Sequence, residues 1–238
     1  MNTPKFHLRL YYLMLGFFLL TYCVWEAPRA RAAEPVDLVI VLALDVSASV
    51  DDREYDLMRA GLAGALTSPN VLEAVLSGEF HAIGVSVVQW SGFQEQVVKI
   101  DWRRITNREQ LLILAEDIKL MDRRYDGGAT DIGGALDFCR ELISKAPFQG
   151  LRSVIDIAGD GSNNVNASPA EARDETNDAG ITINALVVTG DAGALAEYYA
   201  RFVIGGNGAF VEKTHDYDGF ERAMQRKLIQ EMDAKFLY

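Results

Sequence analysis

Three oxygen-bearing side chains, Asp45, Ser47 and Ser49, recur at every second position where the apolar run 36–44 gives way to polar chain. Far along the sequence, Thr130 stands in DGGATDIGGAL and Asp160 in IAGDGSNN. All five are oxygen donors, with neither Cys nor His among them. Oxygen-only sets suit a hard cation, whereas thiolate and imidazole sets suit softer metals. Mg2+ wants six near-octahedral oxygens at about 2.0–2.1 Å and usually keeps several waters. Two carboxylates and three hydroxyls supply part of such a shell. If the aspartates bind through water, the neutral hydroxyls leave much of the metal's charge uncompensated. An open position would then favour an incoming carboxylate, a binding mechanism that breaks no bond.

The elements between these residues must bring them together. VDLVIVLAL (36–44) is nearly all apolar, as a strand covered on both faces should be. DREYDLMRAGLAGAL follows, with Tyr55, Met58, Leu62 and Leu66 on one helical face. AIGVSVVQW (82–90) and QVVKIDW (96–102) are β-rich and separated by five residues containing Gly92, short enough for a hairpin and hence one antiparallel strand. REQLLILAEDIKLM is helical, with Leu111, Leu114, Ala115, Ile118 and Met121 in register, and another helix starts near Ile132. SVIDIA (153–158), a helix near 169–178, ITINALVV (181–188), a helix near 193–203, AFVEK (209–213) and a final helix from about Tyr217 complete the chain. This alternation predicts an α/β fold, a doubly wound and mostly parallel sheet with helices on both faces. In such sheets ligands bind beyond the carboxyl ends of the strands, where the strand order reverses. With the first and fourth strands adjacent at that point, the three polar loops converge.

At these residues the sequence resembles a known family. Asp45-x-Ser47-x-Ser49, the distant Thr130 and Asp160 in GDG resemble the metal-ion-dependent adhesion site of von Willebrand factor type A domains. The resemblance covers the chain in element order from Val36 to the last helix. It implies a doubly wound sheet with one antiparallel edge strand and a bound Mg2+, or alternatively Mn2+ or Ca2+. It also implies that the two serines and the threonine are direct or near-direct ligands, that Asp45 and Asp160 act through water, and that a partner's carboxylate completes the shell. QWSG (89–92), DIAGDGSNN (156–164) and VIGGNGAF (203–210) look closest to secreted bacterial members without assigned function. Two departures stand out. Asp131 directly follows Thr130 and adds negative charge beside the site, and Asp160 is chosen for its place before Gly161 rather than on a full loop match.

Several of these residues also have plainer uses. Ser49 with Asp52 makes a capping-box-like helix start. Asp51 and Asp131 suit helix N-termini, where the dipole favours carboxylates. Arg103-Arg104 and Arg123-Arg124 read as solvated surface, Trp90 as packed, and Asn207-Gly208 as a tight turn. Catalysis finds little support. His81 and His215 lie outside the three loops, and no G-x-S-x-G elbow is present. A phosphatase using Asp45 would want a second acid where Ser47 stands, and no Gly-rich fingerprint follows the first strand. The expectation is a non-enzymatic, metal-dependent module that binds a carboxylate-bearing protein. The alternatives are a scaffold without metal-dependent binding and a metal-assisted hydrolase.

Composition sets the compartment. Lys5 and Arg9, the apolar run 10–25 and Ala30-Arg31-Ala32 read as a signal peptide over 1–32, with an uncleaved anchor as the alternative. Residues 33–238 then form one domain, periplasmic or secreted, with no later segment apolar enough to span a membrane. Lys5, Arg9, Arg29, Arg31 and Glu26 leave with the signal, which takes the formal charge from −11 to about −14. A surface that acidic repels nucleic acid and anionic membranes and attracts cations. Cys139 is the one thiol beyond residue 32, so stability must come from a core rather than a disulfide. It shares an apolar helical face with Leu136, Leu142 and Ile143.

Overall fold

The central apolar run becomes β1 (Glu34–Asp45), whose residues from Val36 onward are all buried. A computed structural model describes residues 33–232 apart from Ala167 and Ala192. The signal peptide expected over 1–32 lies outside the described residues. Five further strands follow: β2 (Ile83–Trp90), β3 (Gln96–Ile105), β4 (Phe148–Gly159), β5 (Ile181–Val188) and β6 (Val211–Thr214). They form one sheet in the order β3-β2-β1-β4-β5-β6, parallel throughout except for the antiparallel edge strand β3. The expected architecture is therefore the observed one. The chain runs outward from β1 to β2 on one side and returns to β4 on the other. The order thus reverses between β1 and β4, with Leu44 paired to Ala158 just before the two strands end.

Side-chain alternation splits the core in two. Leu38, Ile40, Leu42 and Leu44 face a layer of α1 (Asp52–Thr67), α3 (Arg108–Leu120) and α7 (Phe220–Met232). On this side Met58, Leu62, Leu114, Ile118, Phe220 and Leu228 close the packing. Val41 and Ala43 point the other way, toward α4 (Ile132–Ser144), α5 (Ala170–Asp178) and α6 (Ala194–Phe202), where Leu136, Cys139 and Tyr199 are buried. Burial pushes the Cys139 thiol far above its usual range, as suits a packed core residue. Each fully buried Leu or Ile contributes about 1.5–3 kcal/mol. Two filled faces of this size account for stability without a disulfide.

Three details differ from the sequence reading. A short helix, α2 (Pro69–Val75), follows α1, started by Pro at its first position. β4 begins at Phe148, five residues early, because its first half pairs with β1 at the half-buried lower edge. β3 runs through Arg103 and Arg104, which are not free surface. Arg103 pairs with Asp117 at 2.5 Å, and Arg104 donates to the Pro35 carbonyl at 3.3 Å. The expected turn at Asn207-Gly208 is present, with Gly208 at φ +70°.

Candidate metal centre

Three loops meet at the carboxyl end of the sheet beside the reversal point: 46–51 after β1, 121–131 between α3 and α4, and 160–169 after β4. The first two are tied to the sheet edge. The Val46 amide continues the β1–β2 ladder by donating to Trp90 O at 2.9 Å, and the Ala48 amide donates to Gly128 O at 2.9 Å. The Asp131 amide donates to Ser91 O at 2.9 Å. The loops before α4 and after β4 are laced together by two asparagines. Asn164 Oδ1 accepts from the Thr130 amide and Asn163 Oδ1 from the Ile132 amide, each at 2.8 Å.

This framework brings all five expected residues together. Asp45 is fully buried at the end of β1, with Oδ1 accepting from the Ser47 amide at 2.8 Å. Thr130 Oγ1 donates to Ser47 Oγ at 3.2 Å, Ser47 Oγ lies 3.1 Å from Ser49 Oγ, and Ser49 Oγ donates to Asp160 Oδ1 at 2.6 Å. A hydroxyl carries one hydrogen. Since that of Ser49 goes to Asp160, Ser47 must be the donor in the serine pair, and the chain of donors runs one way from Thr130 to the Asp160 carboxylate.

Two glycines leave room for the cluster. A Cβ at Gly159 would sit 2.6 Å from the Tyr199 hydroxyl and 3.1 Å from Asp45 Oδ2. At Gly161 it would come into ordinary contact with Thr130 Oγ1 at 3.4 Å. The Tyr199 hydroxyl donates to the Gly161 carbonyl at 3.1 Å and so braces the loop from below.

The donor chemistry fits a hard cation. Asp45 Oδ2 is buried and has no hydrogen-bond partner, and a buried polar atom in that state is costly. Burial, and after it the charge of Asp160, pushes the Asp45 carboxyl up to about 7, against the pull of Ser47. Among the described residues no Lys, Arg or His pairs with either carboxylate, nor do three or more His, Cys, Asp or Glu side chains cluster as a metal group. Any ion here would rest on two carboxylates and three hydroxyls. That set suits Mg2+, Mn2+ or Ca2+ better than a thiophilic metal.

Several neighbours settle into other roles. The capping box belongs to Asp51 and Glu54, not Ser49 and Asp52: Asp51 Oδ1 accepts from the Glu54 amide, and Glu54 Oε2 from the Asp51 amide, both at 2.8 Å. Ser49 is thereby released to face Asp160. Asp131 caps α4 through Gly134, and its other oxygen accepts from Asn166 at 2.7 Å, so its carboxylate is committed elsewhere. Trp90 is packed as expected. Arg123 departs from the expected solvated surface: its guanidinium donates to the Val46, Ser47 and Val50 carbonyls.

His215, outside the three loops in sequence, shares a recess of about 300 Å3 with Asp160, Glu54 and Tyr217. A larger recess of about 1040 Å3, between α4 and α5, contains none of the five residues. Size does not mark the centre; the convergence of oxygens does.

Comparison with solved structures finds the same fold in proteins of distant sequence. Proximal thread matrix protein 1 from the mussel byssus superposes with a TM-score of 0.62 at 19% identity, over 82% of this chain and 48% of that one. This chain thus spans about half the length of the mussel protein, which has also been solved with a zinc-occupied MIDAS motif (TM-score 0.58, 19% identity, 83% of this chain and 48% of that one). A von Willebrand factor type A protein from Catenulispora acidiphila gives 0.60 at 16% identity, over 83% and 43%. The vWF domain of the type V pili tip protein Mfa5 from Porphyromonas gingivalis gives 0.54 at 12%, over 82% and 95%. No curated protein matches in sequence. A family model matches residues 35–236: the chain belongs to the family described as protein of unknown function DUF1194, and its fold is that of a von Willebrand factor type A domain.

Proposed function

We propose that the chain is an exported, non-catalytic binding module in which a divalent cation, Mg2+ in the first instance, engages a carboxylate on a partner protein. Asp45, Ser47, Ser49, Thr130 and Asp160 would hold the ion. The observation that carries this reading is the buried, unpartnered Asp45 Oδ2 beside a chain of hydroxyls that runs from Thr130 to Asp160, with no basic side chain among the described residues bonded to either carboxylate. A bound cation supplies the missing positive charge and an electrophilic position for an anionic ligand. The protein's own part is to hold the hydroxyls and carboxylates in place and to leave one side of the cluster open. The pili and byssus proteins that share the fold make a protein partner the natural class, and export is consistent with the expected signal segment. Among the described residues no helix is long and apolar enough to cross a membrane.

Calorimetric titration of Mg2+, Mn2+ and Ca2+ into chelator-treated protein, beside Asp45→Ala, tests the reading. Saturable binding that the variant loses is expected. Binding retained by Asp45→Ala places the ion elsewhere, and absence of binding to the wild type favours the scaffold alternative.

One observation keeps a hydrolytic reading in view. His215 opens onto the same recess as Asp160, although its Nδ1 is 3.0 Å from the Gly190 carbonyl oxygen and so engaged with it. Metal-dependent hydrolysis of a model phosphate or ester, lost in both His215→Ala and Asp160→Ala, would favour that class.

A further inference from the structure

The turn 46–50 has an unusual hydrogen-bond account. It is neither helix nor strand, yet a buried backbone must place its donors and acceptors somewhere. Four of its amides are satisfied locally: Val46 by Trp90 O, Ser47 by Asp45 Oδ1, Ala48 by Gly128 O and Val50 by Ser47 O. On the carbonyl side a single nitrogen, Arg123 Nη2, donates to Val46 O at 3.1 Å, Ser47 O at 3.1 Å and Val50 O at 2.7 Å. The turn therefore wraps a guanidinium. These backbone bonds are made without the Ser47 and Ser49 hydroxyls, which remain engaged with Thr130, with each other and with Asp160.

Arg123 is itself held on its other edges. Nε donates to Tyr125 O at 2.8 Å, Nη1 to Asp52 Oδ1 at 3.2 Å, and the Tyr55 ring lies 5.9 Å away. Its side chain is only 12% exposed. The backbone on either side is fixed by the buried Gln89, whose Oε1 accepts from the Arg124 amide at 2.8 Å and whose Nε2 donates to Asp122 O at 3.0 Å. Strand β2 thus sets the position of Arg123, and Arg123 sets the turn. The same segment carries Thr130 seven residues on, so one stretch of chain supplies both a hydroxyl of the centre and the clamp on the loop opposite. A lysine cannot substitute, because a single ammonium lacks the planar fork that reaches the loop, Tyr125 and Asp52 together.

We propose that Arg123 is a positioning residue of the metal centre, setting the spacing of the Ser47 and Ser49 hydroxyls from Thr130 and Asp160 through the carbonyls of the turn. This rests on the cation-binding reading above. Charge alone predicts the opposite behaviour. Removing a positive group from behind a cation site should tighten cation binding, and Arg→Lys should change nothing. Positioning predicts that both Arg123→Lys and Arg123→Ala weaken it, by about tenfold or more, as outer-shell substitutions at metal sites do.

The test is Mn2+ titration, by calorimetry, of wild type, Asp45→Ala, Arg123→Lys and Arg123→Ala, with thermal unfolding of each in chelator. Arg123→Lys that stays folded in chelator yet binds Mn2+ at least about tenfold more weakly supports the proposal. Wild-type affinity in Arg123→Lys, or tighter binding in Arg123→Ala, overturns it while leaving the cation reading intact. If Arg123→Ala does not fold, Arg123→Lys decides. Failure of the wild type itself to bind overturns the cation reading, and this inference with it.

Discussion

Asp45 and Asp156 are both buried carboxylates on adjacent central strands, yet their surroundings differ in one respect. Asp156, in mid-strand on β4, has its counter-charge built into the chain: Lys227 Nζ of α7 lies 2.6 Å from its Oδ1 and 2.5 Å from Glu231 Oε1. Asn184 donates to the same Glu231 oxygen at 2.9 Å, and Arg152 donates to the Glu231 carbonyl at 2.8 Å. That cluster carries its own cation, although Asp156 Oδ1 and Oδ2 and Glu231 Oε2 have no hydrogen-bond partner, as Asp45 Oδ2 has none. Asp45 stands where β1 ends and meets hydroxyls, amides and a second carboxylate, but no ammonium or guanidinium bonds to it. Burying a charge is tolerable only when it is paired, neutralised or bound to a cation. The core cluster takes a cation from the chain, and among the described residues the loop cluster has none. The proposed function rests on that contrast.

The sharpest way to break the comparison is to remove the built-in cation. Lys227→Met leaves two buried carboxyls without their partner, and urea unfolding should show a loss of about 3–5 kcal/mol. Asp45→Asn removes a charge that had no partner, so in chelator its unfolding free energy should stay within about 1 kcal/mol of wild type. An equal loss in the two variants would mean that Asp45 has a counter-charge after all.

The core cluster should also leave a signature in pH. Burial, then the charge of Glu231, pushes the Asp156 carboxyl up to about 8, against the pull of Lys227. A carboxyl raised above its unfolded value near 3.8 favours the folded state while protonated. Its contribution is present at low pH and is lost as pH rises through roughly 4 to 8. Chelator-treated protein should therefore lose stability across that interval, with Asp45, raised to about 7, adding a slope of the same sign, and Asp156→Asn should remove only the share that belongs to the core cluster. Added Mg2+ should leave this component unchanged, since Lys227 already occupies the place a cation would take. A slope that Mg2+ abolishes would assign it to the loop cluster instead.

How much of this was legible in the sequence follows from what each feature rests on. The sheet was readable because the 36–44 run and its later counterparts are buried on both faces, and strand–helix alternation leaves few topologies. Four of the five oxygen residues were readable because they stand at or just past strand ends at the one reversal point, and Thr130 because its polar loop immediately precedes a helix. α2 was missed because seven residues offer too few apolar positions for a period to show. The first half of β4 was missed because the apolar residues of FQGLRS do not follow its burial: Leu151 lies on the exposed side. Arg123 was misread for a deeper reason: its partners are backbone carbonyls, which every residue has. An arginine that clamps a turn and one that is hydrated look the same until the chain is folded. Asn163 and Asn164 carried a signal, as consecutive amides beside GDG, but their acceptor oxygens serve backbone amides that only the fold brings near.

The mildest test concerns Ser49, where a helix cap and a site compete for one hydroxyl in the sequence but not in the structure. Asp51 forms the capping box of α1 with Glu54, while Ser49 is 2.6 Å from Asp160. Asp51→Ala should cost about 1 kcal/mol of unfolding free energy, the usual loss for an N-cap carboxylate. It should leave Mg2+ affinity as in wild type, because the Asp51 carboxylate is engaged with the Glu54 amide. Ser49→Ala should do the reverse, lowering Mg2+ affinity while unfolding in chelator shifts by less than the Asp51 variant. The two residues are two positions apart, so proximity is nearly matched between the variants. Their bonds differ: Asp51 accepts from the first turn of α1, and Ser49 donates to Asp160. If Ser49→Ala instead destabilises the protein in chelator and spares Mg2+ binding, the hydroxyl belongs to the helix start, and the cation is held by Asp45, Ser47, Thr130 and Asp160 without it.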